Sequence, residues 1–138
     1  MRMRESCQRL LKSNPELASA KNYVDLANSL LDLGIRKATD GQVYISNFNK
    51  KNQHRALQRC ATTLYPESIQ LFKKAKANLV KDPKAANSDA LDAGLRTHEC
   101  TTVIVFDNIN VPGTIVDINN NVFFLGEIAS YAASMLLK

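Results

Sequence analysis

Two cysteines, Cys60 and Cys100, enclose a helix, a break and a second helix, and this arrangement constrains the fold more than any other feature of the chain. The stretches before and after Asp82-Pro83 both show helical periodicity. A disulfide between the two cysteines would join the start of one helix to the end of the next and hold an antiparallel pair together. The alternative is two buried thiols in a cytosolic helical protein, and the spacing by itself leaves both interpretations open.

Helical periodicity also extends through most of the remaining chain and predicts an all-α fold. The 138 residues suit one domain, and a content of only 5 glycines argues against a turn-rich β fold. Short links between four long helices predict an up-down-up-down bundle. We expect residues 1–16 to be an N-terminal helical extension and 17–138 to be the bundle domain. The predicted helices are 5–11, 17–48, 54–80, the stretch that starts after Asp82, and 122–137.

Several local features refine this prediction. Residues 47–52 (NFNKKN) and 107–121 are rich in Asn and predict connections between helices. Pro66 lacks a backbone donor, which predicts a kink near Leu64 and Tyr65. Residues 101–106 (TTVIVF) are β-branched and fit either a strand or a continued helix. We favour the helix, because no partner strand is evident.

Small and apolar residues suggest which helix faces are buried. Gly34 and Gly41 weaken the longest predicted helix, and close approach of a neighbouring helix would explain them. After Asp82, we expect Leu91, Leu95 and His98 to face the interior together with the small residues around them.

The charge pattern bears on the partners of the protein. The net charge is +5, which is compatible with nucleic acid, an anionic polysaccharide or an acidic protein. The tightest basic group, Lys73, Lys74 and Lys76, has no aromatic ladder beside it and is typical of a solvated helix face. We therefore expect no nucleic-acid partner. No apolar run is long enough to span a membrane or to form a signal peptide, so we expect no membrane partner. If the protein is secreted, we expect its leader to have been removed.

The sequence contains no catalytic motif. Glycine-rich phosphate loops, GxSxG elbows and HExxH runs do not occur. His54 and His98 lie near opposite cysteines, but the paired short spacings of structural zinc sites are missing. We therefore expect no enzymatic activity, no cofactor and no metal.

The order and spacing of four segments resemble the plant pectin methylesterase inhibitor and invertase inhibitor family, which includes the plane-tree pollen allergen type. The resemblance covers nearly the whole chain. It implies a four-helix bundle with an N-terminal helical hairpin and a Cys60–Cys100 disulfide. Cys7 corresponds to the second hairpin cysteine, and because the first is missing, Cys7 is a candidate free thiol. The segments are CQRLLKSNPELASAKNYVDLA, LQRCATTLYPESIQLF, KDPKAANSDALDAGLRTHEC and VFFLGEIASYAASMLL.

The resemblance implies that the chain binds and blocks another enzyme. In the invertase-blocking branch, a Pro-Lys-Phe motif between two bundle helices enters the substrate cleft of the target. The corresponding residues here are Pro83, Lys84 and Ala85, preceded by Asp82. A cation on a rigid loop suits a pocket of carboxylates, and glycosidases use a carboxylate pair. Ala85 stands where the family has Phe and would bury less apolar area.

Other members of the family suggest alternatives. The first is inhibition of a pectin methylesterase through a helical face of the bundle. The second is a pollen-allergen-type protein of the same fold with no inhibitory target. The resemblance also implies secretion to the apoplast or cell wall, with the vacuole as the alternative.

Overall fold

The computed structural model describes residues 2–137, with side chains from Glu5 to Leu137. This part of the chain is mostly helical and contains no strand. The α-helices are α1 (Arg2–Ser13), α2 (Pro15–Ala18), α3 (Tyr23–Asn52), α4 (Arg55–Arg59), α5 (Tyr65–Asn78), α6 (Pro83–Phe106) and α7 (Gly113–Ser134). A π-helical turn (Cys60–Leu64) joins α4 to α5, and a 3₁₀ turn (Met135–Leu137) follows α7. The prediction of an all-α fold is therefore confirmed.

The long helices α3, α5, α6 and α7 pack in a ring. Helix α3 contacts α5 and α7, and α6 contacts the same two helices from the other side. Two contacts show that α3 and α5 run antiparallel: Asp32 pairs with Lys76 near one end of their contact, and Gly41 meets Tyr65 near the other. The largest fully buried apolar side chains fill the space inside the ring: Tyr65, Phe72, Leu31, Leu33, Ile45, Leu57, Leu64, Ile115 and Val122.

Glycines allow the close approach that the sequence predicts around α3. A Cβ atom on Gly34 would lie 2.7 Å from the ring of Phe72 on α5. A Cβ atom on Gly41 would lie 2.7 Å from Ile118 of α7 and 2.9 Å from the ring of Tyr65. The cost of glycine within a helix is therefore offset by packing of larger side chains from two neighbouring helices.

The first predicted long helix was too long at one end and too short at the other. The chain breaks after Ala18, and α3 begins only at Tyr23, because the Asn22 side chain accepts a hydrogen bond from the Asp25 N–H at 2.9 Å. At the other end, residues 47–52 are helical rather than a connection. Asn49 is buried there, and the helix ends at Asn52, followed by Gln53 in the left-handed conformation (φ 51°).

The connection predicted at 107–121 was also too long. Helix α7 begins at Gly113, so only 107–112 link it to α6. The Asn-rich stretch is helical because Ile115, Asn119 and Val122 recur at helical spacing and are buried. Helix α7 then ends at Ser134 and not at Leu137.

One other local prediction is confirmed, and the kink predicted near Leu64 and Tyr65 stays a prediction. Helix α6 continues through residues 101–106 without becoming a strand. The predicted helix 54–80 changes geometry just before Pro66, where the π-helical turn Cys60–Leu64 replaces regular α-helix. A π turn shifts the hydrogen-bonding pattern, which suits a proline that cannot donate.

The prediction for the inner face of α6 was partly wrong. Leu91, Leu95 and His98 are exposed. Small residues line the interior instead, because α7 approaches α6 so closely that leucine side chains have no room there. The buried residues of α6 are Ala86, Ala90, Ala93, Gly94, Thr97, Cys100 and Ile104.

Candidate functional site

The four residues predicted to bind a partner form a capped helix start. Asp82 is the N-cap of α6, and its Oδ1 accepts a hydrogen bond from the Ala85 N–H at 3.2 Å. The Asp82 carbonyl accepts from the Ala86 N–H at 3.0 Å. Pro83 occupies the first helical position, where its missing N–H is not needed. Pro83, Lys84 and Ala85 are thus the first turn of α6 rather than a free loop, and the cap fixes their backbone.

Lys84 is exposed at this end of the molecule. The link before it is short, because the Asp82 N–H donates to the Asn78 carbonyl at 2.8 Å and closes the turn between α5 and α6. Val80, in that turn, is 75% exposed, and Lys81 is exposed too. Among side chains 5–137, no carboxylate forms a salt bridge with Lys84. Its charge is therefore available to a partner.

An apolar surface continues from Lys84 along α6. Leu91 and Leu95 follow Lys84 by seven and eleven residues, which places all three on one helix face. Leu91 is 39% exposed and Leu95 40%. Tyr131 of α7, 66% exposed, lines an apolar cavity of about 640 Å³ together with Leu91. We call Lys84, Leu91, Leu95 and Tyr131 the α6 surface. In the sequence, this surface is indicated by the spacing of Leu91 and Leu95 from Lys84, which repeats at helical intervals.

The disulfide expected from the resemblance is present. Cys60 and Cys100 are bonded, their Cα atoms are 5.3 Å apart, and both are fully buried. The bond joins the π-helical turn before α5 to the last third of α6. Beside it, Arg59 and Glu99 form a salt bridge of 2.9 Å. Cys7, on α1, is a free thiol and half-buried.

The histidines do not converge with the cysteines. His98 is exposed and stacks on the ring of Phe123, with the ring centroids 5.0 Å apart. His54 lies at the N-cap of α4, and its backbone N–H donates to Asn49 Oδ1 at 2.7 Å. Within the part of the chain that the structure describes, no three His, Cys, Asp or Glu side chains group around a possible metal position.

Comparisons with models of known families, with curated proteins and with solved structures find no match for this chain. None of the helices in residues 2–137 is both long enough and apolar enough to cross a bilayer.

Proposed function

We propose that the chain belongs to the plant invertase inhibitor and pectin methylesterase inhibitor family. The ring of antiparallel helices α3, α5, α6 and α7 is then an up-down-up-down four-helix bundle, and the residues before it are the N-terminal extension. The buried Cys60–Cys100 disulfide, which the resemblance implies, supports this assignment. A disulfide of this kind also favours an oxidising compartment. We place the protein in the apoplast or cell wall, with the vacuole as the alternative.

Within that family, we propose inhibition of an acid invertase by occlusion of its substrate cleft. The observation that carries this proposal is the exposed, unpaired Lys84 on the capped first turn of α6. Its ammonium suits the carboxylate pair of a glycosidase. Because Pro83 and the Asp82 cap already order the backbone, binding costs less conformational entropy than it would for a flexible loop.

Inhibition of a pectin methylesterase is the second candidate. It draws on a different observation, the exposed Leu91 and Leu95 along α6, with Tyr131 beside Leu91. A helical face of this kind covers a groove rather than entering a pocket. The polar head of Lys84 contributes less to such a contact than the apolar side chains at its centre.

Parallel inhibition assays against one acid invertase and one plant pectin methylesterase test both candidates. For the first, Lys84→Ala should raise the concentration for half-inhibition of invertase at least tenfold, because a buried charge contact is lost. Lys73→Ala, which removes an exposed lysine from α5, is the matched control and should change it less than twofold.

The second variant pair separates the candidates. Leu91→Ala/Leu95→Ala should abolish inhibition of the methylesterase if the apolar part of the α6 surface covers its groove, whereas Lys84→Ala should leave that inhibition intact. An unchanged invertase dose curve for Lys84→Ala contradicts the role of this lysine. Absence of inhibition of both enzymes by the unmodified chain leaves the non-inhibitory, pollen-allergen-type interpretation.

A further inference from the structure

A second cavity lies far from Lys84, where α3 ends and α4 begins. It has a volume of about 640 Å³. This size falls in the range of small-molecule sites, about 300–1,000 Å³. We call it the corner cavity. Its lining residues are Ser46, Asn49, Lys50, Gln53, His54, Arg55, Gln58, Ala61 and Thr62.

Side chains that carry polar groups and no negative charge line the corner cavity, together with their own apolar stems. Apart from Ala61, every lining side chain carries a hydrogen-bonding group, and none is Asp or Glu. Lys50 and Arg55 are exposed, and within side chains 5–137 neither forms a salt bridge. The nearby Arg59, by contrast, is paired with Glu99. The corner cavity therefore presents two uncompensated cations among amides and hydroxyls.

Hydrogen bonds hold one wall of the corner cavity in place. Asn49 is only 7% exposed, its Nδ2 donates to Gln58 Oε1 at 3.1 Å, and its Oδ1 accepts from the His54 N–H at 2.7 Å. Because Gln58 uses its oxygen in this contact, its amide N–H groups remain as donors. Thr62 Oγ1 donates to the Gln58 carbonyl at 2.7 Å and ties down the next turn.

We propose that the corner cavity binds an acidic oligosaccharide. Saccharide hydroxyls both donate and accept hydrogen bonds, and the amides and hydroxyls of the lining match them. Carboxylates on the sugar pair with Arg55 and Lys50. A single-stranded nucleic acid fits less well, because His54 is the only aromatic ring in the lining and bases bind by stacking. A protein partner fits less well, because apolar anchors are missing.

This binding is independent of the proposed inhibitory contact. Ala61, in the cavity wall, adjoins Cys60, which is bonded to Cys100. Cys100 follows Asp82 by 18 residues in the same helix, a rise of roughly 27 Å. An enzyme held at Lys84 and a saccharide held in the corner cavity therefore occupy opposite ends of the molecule.

Titration with trigalacturonic acid, followed by backbone amide chemical shifts, tests the proposal on the full chain. We expect shift changes confined to residues 46–62 and no response to the neutral trisaccharide maltotriose. Lys50→Ala/Arg55→Ala should weaken binding at least tenfold, because both carboxylate contacts are lost. Lys73→Ala/Lys74→Ala changes the net charge equally on another face and should weaken binding less than twofold.

A second variant tests the amide contacts without altering charge. Gln53 has a positive φ of 51°, so Gln53→Gly removes the side-chain amide and keeps a backbone that glycine adopts readily. We expect about a threefold loss of affinity for trigalacturonic acid with an unfolding midpoint no lower than that of the wild type. The proposal is overturned if Lys50→Ala/Arg55→Ala and Lys73→Ala/Lys74→Ala lose equal affinity for trigalacturonic acid. It is also overturned if maltotriose binds equally well, or if a short single-stranded RNA binds more tightly. Inhibition assays on these variants report separately on Lys84.

Discussion

At the scale of single residues, the polar side chains in the interior connect three helices. Tyr65 of α5 is fully buried, and its hydroxyl donates to Asn119 Oδ1 of α7 at 2.5 Å. The Asn119 Nδ2 in turn donates to Thr101 Oγ1 of α6 at 3.0 Å. Thr97 Oγ1 lies 3.3 Å from the Asn119 carbonyl. Because a buried polar group without a partner is costly, this network favours one register of α5, α6 and α7 over others.

Removing one hydroxyl tests the energetic role of this network. Tyr65→Phe preserves the ring but leaves the Asn119 oxygen without its donor, so we expect the free energy of unfolding at pH 7 to fall by about 1–3 kcal/mol. Urea unfolding measures this change. Tyr131→Phe, at a position that is 66% exposed, is the matched control and should have an effect within about 0.5 kcal/mol. Equal effects of the two substitutions contradict the role of the buried hydrogen bond.

The same residue predicts a dependence on alkaline pH. Burial raises the pKa of Tyr65 above its ordinary value of 10.0, because the charged phenolate is poorly solvated inside the protein. The unfolded chain therefore loses this proton at lower pH than the folded chain. The contribution of Tyr65 to stability is complete below the pKa of this tyrosine in the unfolded chain, and it is lost as pH rises above that value. The stability difference between wild type and Tyr65→Phe should accordingly shrink above about pH 10; a constant difference contradicts this.

At the scale of the helices, α6 and α7 pack closely enough for their backbones to touch. A Cβ atom on Gly126 would lie 2.8 Å from the Ala90 carbonyl oxygen and 2.8 Å from the Cα of Gly94. A Cβ atom on Gly94 would lie 2.9 Å from the Phe123 carbonyl oxygen. These contacts are with backbone atoms, which cannot move aside as a flexible side chain can. The crossing of α6 and α7 therefore requires glycine on both helices.

One methyl group at this crossing should separate the helices. We expect Gly126→Ala to lower the free energy of unfolding by about 1–3 kcal/mol, because overpacking forces the backbones apart. Gly113→Ala is the control: no atom lies within 4 Å of a Cβ there, and alanine should stabilise α7 by about 0.4–1 kcal/mol. Thermal and urea unfolding of the two variants should move in opposite directions. A neutral Gly126→Ala contradicts the close crossing.

At the scale of the whole molecule, the disulfide braces the helix ring at the end opposite Lys84. Cys60 and Cys100 are 40 residues apart in sequence. In the chain-entropy model, closing a loop of this length stabilises the folded state by about 4 kcal/mol. Because the bond joins the π-helical turn to α6, it acts on the α5–α6 pair whose other end carries the candidate site.

Loss of the disulfide should be visible in global stability. We expect Cys60→Ala/Cys100→Ala to lower the unfolding midpoint by about 10–20 °C. Thiol titration of the denatured, unreduced wild type should find one free thiol, that of Cys7. Cys7→Ser, the control, should leave the midpoint nearly unchanged and remove the remaining thiol. Three reactive thiols in the wild type would contradict the bond.

Much of this architecture follows from local patterns in the sequence. Helical periodicity predicts an all-α chain, and the Asp82-Pro83 pair correctly marks the start of α6, because a carboxylate cap and a proline at the first position act within one turn. The continuation of α6 through 101–106 was also predicted. The family, the target enzyme and the role of Lys84 stay predictions.

Tertiary structure decided those features that depend on contacts between residues far apart in the sequence. Asn49 and Asn119 have the local character of connection residues, yet both lie in helices because partners on α4, α5 and α6 satisfy their amides. Leu91 and Leu95 have the apolar character of core residues, yet both are exposed, and their neighbours Ala90 and Gly94 instead face the close crossing with Gly126 of α7. The sequence by itself determined that the chain is helical and where α6 begins, since those interactions span three or four residues. Packing decided which faces are buried and which polar groups are paired, since both depend on the arrangement of all the helices.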